Sequence, residues 1–215
     1  MKILIGGQDY SAALDAVQPL QIARKLNELS VCQFMVSLPT DGSLVGPARF
    51  ESVAVTGDDG TLYFTGYVVT TPMQEYAGLA LEGPRYRFAI QAVSDEILLD
   101  QVLMAPSKGL SGLNAGPLMT ALVAHAGSNA IATGALTLNT PVGQFVPEPG
   151  APFSKSAGLV AAQARASYRA LGGALALGSI PTAIHTLSEG DGSLTLANLA
   201  LSAGTKRAMA NDITV

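Results

Sequence analysis

The chain has 215 residues, of which 48% are hydrophobic and only 13% charged, with a formal net charge of −4 and no tryptophan. That length can bury a sizeable core without disulfides or a metal, and a single cysteine, Cys32, excludes an internal bridge. Soluble domains usually carry about 25% charged residues, so so weakly charged a surface points either to a membrane or to coverage by protein partners.

A spanning helix needs about 20 consecutive apolar residues. The best segment, Ala157 to Ile180, is interrupted by Arg165 and Arg169 and weakened by Gly172 and Gly173. No membrane span is therefore expected, and burial against partners is the better explanation. Lys2 is followed by too short an apolar run before Gly6 and Gly7 to be a secretory signal. Lysines and arginines are scattered rather than striped, which speaks against nucleic acid as a partner.

In chain order, Lys2 to Ile5 is a short apolar strand closed by two glycines. Asp15 to Leu29 is mixed. Val31 to Leu38 alternates as a strand, with Cys32 as a buried small hydrophobe, and Pro39 to Gly42 is a turn. Arg49 to Thr56 alternates with Phe50, Val53 and Val55 on an inner face and an irregularity between Phe50 and Val53. Gly57-Asp58-Asp59-Gly60 supplies the positive-φ positions of a hairpin turn. The return strand, Thr61 to Thr70, runs Leu62, Phe64, Tyr67 and Val69. Its central Gly66 marks a bulge or a close backbone approach. Tyr86 to Val93 alternates with Tyr86, Phe88, Ile90 and Ala92 on one side.

After Val93 the period changes. Ser94-Asp95 caps a helix carrying Ile97, Leu98, Gln101 and Val102. Pro117 opens a second helix, with Leu118, Leu122 and Val123 on its stripe and an end near Gly127. Thr133 to Val146 is strand-like but broken by Pro141 and Gly143. Ser154 or Ser156 caps the longest helix, reaching about Leu171, and Ala174 to Ile180 suits a buried strand. Gly190-Asp191-Gly192 is a turn. Ser193 to Ser202 and Ala210 to Val215 are the last strands, and the abrupt end suggests a piece of a longer protein.

No chemistry-bearing constellation emerges. His125 reads as a helix-end residue and His185 as a strand residue; with one cysteine they build no zinc site. Gly109-Leu110-Ser111-Gly112 lacks the spacing of a nucleophile elbow. Asp58-Asp59 and Asp95-Glu96 could be taken for glycosidase carboxylates, but one pair sits in a turn and the other at a helix start, where acids are expected. Gly190-Asp191-Gly192-Ser193 has too few oxygen ligands for calcium. No catalytic, cofactor-binding or metal-ligating residue is assigned, no cofactor is expected, and the chain is expected not to be an enzyme.

Four ordered segments carry a family resemblance. Arg24-Lys25-Leu26-Asn27-Glu28-Leu29-Ser30 before Phe34-Met35-Val36 is similar to the opening strand pair of phage tail hub proteins, the late-control protein D and contractile-tail baseplate hub type. Val53-Ala54-Val55, Asp59-Gly60 and Leu62 to Val68 resemble that family's hairpin. Tyr86 to Asp95 followed by Leu98-Leu99-Asp100 resembles its strand-to-helix step, and Ala210 to Val215 its closing strand.

The resemblance implies an α+β fold: a tail-tube-like antiparallel β-barrel, residues 1–93 plus 193–215, with an inserted mixed α/β domain, residues 94–192. It also implies a structural hub joining the tail tube to the tip or spike of a phage or phage-like injection machine. The implied partners are further copies of the chain, as a trimer, and the tail tube and tail spike proteins. The implied location is the virion tail, and the cytoplasm of the producing bacterial cell before assembly. A glycan or receptor-binding module of a tail tip is the alternative, and a cell-wall hydrolase a third reading.

Overall fold

A computed structural model describes residues 1–16, 18–81, 83–106, 109–127 and 131–180. The expected strands Ser193 to Ser202 and Ala210 to Val215, the Gly190–Gly192 turn and His185 lie outside the described residues.

The first half is antiparallel sheet. Its strands are β1 (Lys2–Ile5), β2 (Gln8–Asp9), β3 (Gln21–Ala23), β4 (Val31–Pro39), β5 (Ser52–Thr56), β6 (Leu62–Val68), β7 (Gln74–Ala80) and β8 (Gly83–Ser94). They run in the order β2-β1-β5-β6-β8-β4-β3, with β7 added beside the first half of β8. Tyr10 N–H donates to the Ile3 carbonyl of β1, and Leu14 bridges Val36 of β4. One short segment thus ties two distant strands of the same sheet, which curls the sheet into a half-barrel. Alternation places Ile3, Ile5, Cys32, Phe34, Val36, Val53, Val55, Phe64, Val68, Ile90 and Ala92 in one core.

Three turns share one device. Asp9, Asp41 and Asp59 each accept from the backbone N–H and the hydroxyl two residues on, at Ser11, Ser43 and Thr61. These bonds lower all three carboxyl pKa values below the ordinary 3.8.

Gly66 marks a close approach, not a bulge. A Cβ there would lie 2.1 Å from the Val93 carbonyl oxygen of β8. Alternation runs straight through it, so Phe64, Gly66 and Val68 face inward, and Tyr67 and Val69 do not. Phe50 also departs from expectation. Phe50 N–H donates to the Val68 carbonyl and Val68 N–H donates to the Glu51 carbonyl. Two residues therefore oppose one, and Phe50 turns outward at φ 70°, 59% exposed.

The second half holds α1 (Ile97–Asp100), α2 (Ala115–Ala126), β9 (Ala132–Thr133), α3 (Phe153–Gln163), β10 (Ala166–Leu171) and β11 (Ala174–Ser179). A second core joins Leu118, Met119, Leu122, Phe153, Val160, Tyr168 and Leu175, among others. Helix α2 ends at Gly127 in the left-handed conformation, as its sequence suggests. It begins at Ala115, so Pro117 is its third residue rather than its first. Its first N–H groups donate to the Thr140 and Leu138 carbonyls, and Gly116 permits that approach. Of the strand expected over Thr133 to Val146, only β9 forms.

The long helix stops early. Arg165 takes φ 48° and ends α3, and residues 166–171 become a strand instead of a helix reaching Leu171. Gly172 and Gly173, at φ 63° and 74°, form the tight turn into β11. Neither Ser154 nor Ser156 caps α3: Pro152 holds the cap position, and the Asp100 carboxylate, from α1, accepts from Ser154 N–H at 2.7 Å. Helix α1 is one turn long and stops short of Val102.

Candidate functional site

The residues weighed for catalysis do structural work. Asp59 closes the β5–β6 turn, and Asp58 pairs with the N-terminal ammonium. His125, at the end of α2, bonds through Nε2 to the Ala105 carbonyl at 2.7 Å. Cys32 is fully buried, and burial pushes its thiol pKa up to about 12. Among the described residues no group of acids, histidines and cysteine could hold a metal ion, and no helix is long and apolar enough to cross a membrane.

Asp95 and Glu96 are not solvent-facing helix-start acids. They are 4% and 2% exposed and make no side-chain cap bond. Asp95 accepts from Thr65 Oγ1 and from Gly173 N–H at 2.9 Å, while Thr65 Oγ1 accepts from Gly172 N–H at 2.7 Å. Glu96 Oε1 accepts from Ala170 N–H at 2.6 Å. Asp95 and Thr65 thereby hold the β10–β11 turn against β6, and Glu96 ties β10 to the segment entering α1. Sequence reasoning missed this because a buried acid and a cap acid share the same local pattern.

A second tie runs from the 24–30 loop. Asn27, held at φ 56°, donates from Nδ2 to the Ala166 carbonyl and accepts at Oδ1 from Tyr168 N–H, as a neighbouring strand would. Tyr168 Oη donates to the Asn27 carbonyl at 3.2 Å. Burial, then the nearby acids, push the Tyr168 phenol pKa well up.

Open surfaces among the described residues include two with apolar or aromatic lining. Strand β7 pairs only with β8 among the described residues, and around it Met73, Tyr76, Leu79 and Leu81 are 81%, 59%, 78% and 103% exposed. The strand was not read from the sequence, since Gly78 interrupts its alternation. The second surface is a groove of about 570 Å³ lined by Arg49, Phe50, Tyr67, Val69, Ile97, Leu98 and Gln101. The Arg49 guanidinium sits 4.5 Å over the Phe50 ring.

No protein-family model and no curated protein matches the chain. Solved structures do. The 43 kDa tail protein of prophage MuSo2 from Shewanella oneidensis superposes with a TM-score of 0.58 at 13% identity, over 82% of this chain and 53% of its own. The tail protein from Neisseria meningitidis MC58 superposes with a TM-score of 0.59 at 18% identity, over 89% and 55%. The chain has the fold of phage tail proteins. An E. coli type VI secretion component, c3393, described as similar to the T4 tail proteins gp27 and gp5, gives 0.45 at 6% identity over 82% and 48%, too low to carry weight. The chain spans about half the length of the tail proteins it matches.

Proposed function

We propose that this chain is a structural, non-enzymatic tail protein: a hub joining the tail tube to the tip or spike of a phage or phage-like injection machine, located in the virion tail. The observation that carries the reading is the fold shared with two phage tail proteins over more than four-fifths of the chain. The physical character of the surface supports it. The acids weighed as catalytic serve as turn and hairpin anchors, while β7 leaves an apolar edge open. Closed rings of identical subunits cover such edges, and we assign the chain to a homotrimer that contacts tube and spike proteins.

Light scattering over a concentration series tests the assembly. A mass of three chains supports a hub; a monomer at every concentration removes the self-assembling ring. Zymography on peptidoglycan tests the absence of activity, and a cleared zone would overturn it. The groove beside Phe50 and Tyr67 favours a second reading, a glycan or receptor-binding module, because an exposed aromatic lines it. A glycan array without a binder removes the glycan form of that reading.

A further inference from the structure

Two guanidinium groups meet where the 24–30 loop faces β10. Arg24 Nη2 and Arg169 Nη2 both donate to one acceptor, the backbone carbonyl of Tyr63 in β6, the second at 2.9 Å. A carbonyl has no formal charge, so it orients the two cations without neutralising them. Neither arginine belongs to an ion pair among the described residues, whereas neighbouring Lys25 pairs with Glu28 at 3.1 Å. The cleft between them is lined by three cations, Arg24, Lys25 and Arg169, against two carboxylates, Glu28 and Glu96. Glu96 accepts from Ala170 N–H through Oε1 only, its Oε2 has no hydrogen-bond partner, and its charge offsets part of that of Arg169. One positive charge is left uncompensated, on a chain whose net charge is −4.

Placing like charges together is unfavourable, and the fold nevertheless holds them in place. Burial, and then the neighbouring Arg24, push the Arg169 guanidinium pKa below its ordinary value. Asn27 fixes the loop to β10 through both ends of its amide, so Arg24 faces Arg169 from a pinned backbone. The cleft holds about 260 Å³, below the usual range of about 300–1,000 Å³ for small-molecule pockets. A carboxylate side chain fits within that volume.

We propose that this cleft is a receptor site for a carboxylate side chain, an Asp or Glu presented on an acidic segment of a partner protein, gripped between Arg24 and Arg169. Each guanidinium carries five N–H donors in a planar fork. After the bond to Tyr63 each keeps donors for a carboxylate, which suits the forked geometry that Arg offers and Lys does not. The inference rests on this geometry and is independent of the tail reading.

The test is NMR of the arginine Nε–Hε groups in the full chain, titrated with hexaglutamate and separately with inorganic phosphate. Saturable shifts at Arg24 and Arg169, without matching shifts at exposed Arg49 and Arg165, are expected. R169Q and R24Q should each weaken hexaglutamate binding about tenfold or more, and R169K less. Arg24 is exposed, so R24Q keeps the test intact even where R169Q fails to fold. Equal shifts at all four arginines, unchanged affinity in R24Q, or phosphate binding as tightly as hexaglutamate would each overturn the proposal.

Discussion

Adding one methyl group at Gly66 should separate two strands. A Cβ there would lie 2.1 Å from the Val93 oxygen, 2.7 Å from the Val93 carbonyl carbon and 2.8 Å from Phe64 Cζ. The first two are backbone atoms, so no side-chain rotation relieves the clash. Strand β6 must retreat from β8 by at least roughly 1 Å to approach normal contact distance. The pairing of Gly66 with Ser94 loosens, and Phe64 and Val68 lose packing. Overpacking costs about 1–3 kcal/mol, and one weakened ladder bond adds about 1 kcal/mol. At this chain length each kcal/mol lowers Tm by about 2–4 °C, so Gly66→Ala should lower it by about 5–15 °C. Gly158, inside α3, has nothing within 4 Å of the same added atom. There the substitution removes a helical glycine, worth up to about 1 kcal/mol, and should raise Tm by a few degrees. Differential scanning calorimetry of both variants decides it. A Gly66→Ala protein as stable as the parent would refute the close-approach argument, and an equal drop in both would show a general intolerance of alanine.

Glu96→Ala leaves the buried Ala170 N–H without its acceptor and should cost about 1–3 kcal/mol in urea unfolding; Glu96→Gln, which keeps an acceptor oxygen, should cost less, and equal losses would contradict the assignment of Oε1. Leu79→Asp with Leu81→Asp, both on exposed side chains, should leave Tm within about 4 °C, since each such surface change costs at most about 0.5 kcal/mol, while lowering any self-association seen by sedimentation; unchanged association would remove β7 from the interface. The carboxyl carbons of Asp9, Asp41 and Asp59 should titrate with midpoints below the ordinary 3.8. Their depressed pKa values mean that the turn contribution is present above the unfolded value and is lost as pH falls through the folded one. Midpoints at or above 3.8 would contradict the hydroxyl and N–H contacts.

The strands that alternate cleanly against a buried face were legible. Val31 to Leu38 and Tyr86 to Val93 pair with each other in register, Val31 opposite Val93, because each buries one side. The turn at Gly57–Gly60 was legible from its Asp-Gly chemistry, and Gly127 from its place after a helical stripe. Other features were not. Residues 166–171 resemble helix locally, and what makes them a strand is distant: Asn27 and Glu96 supply partners for the Tyr168 and Ala170 N–H groups, and the Gly172-Gly173 turn returns the chain. The sequence puts Phe50 on the inner face with an irregularity before Val53; the irregularity forms, as the two-for-one pairing opposite Val68, but it turns Phe50 outward. The lock formed by Asp95 and Glu96 joins segments some 70 to 80 positions apart, with separations of 74 and 78 at Ala170 and Gly173, so no local pattern announces it. The Arg24–Arg169 pair was not legible either, because the residues meet only through the Tyr63 carbonyl.

Cryo-electron microscopy of tails purified from a producing cell tests the central claim most directly. The account predicts density for this chain where the tube meets the tip, with the β7 edge against neighbouring subunits. Intact tails that contain no copy of the chain would contradict it.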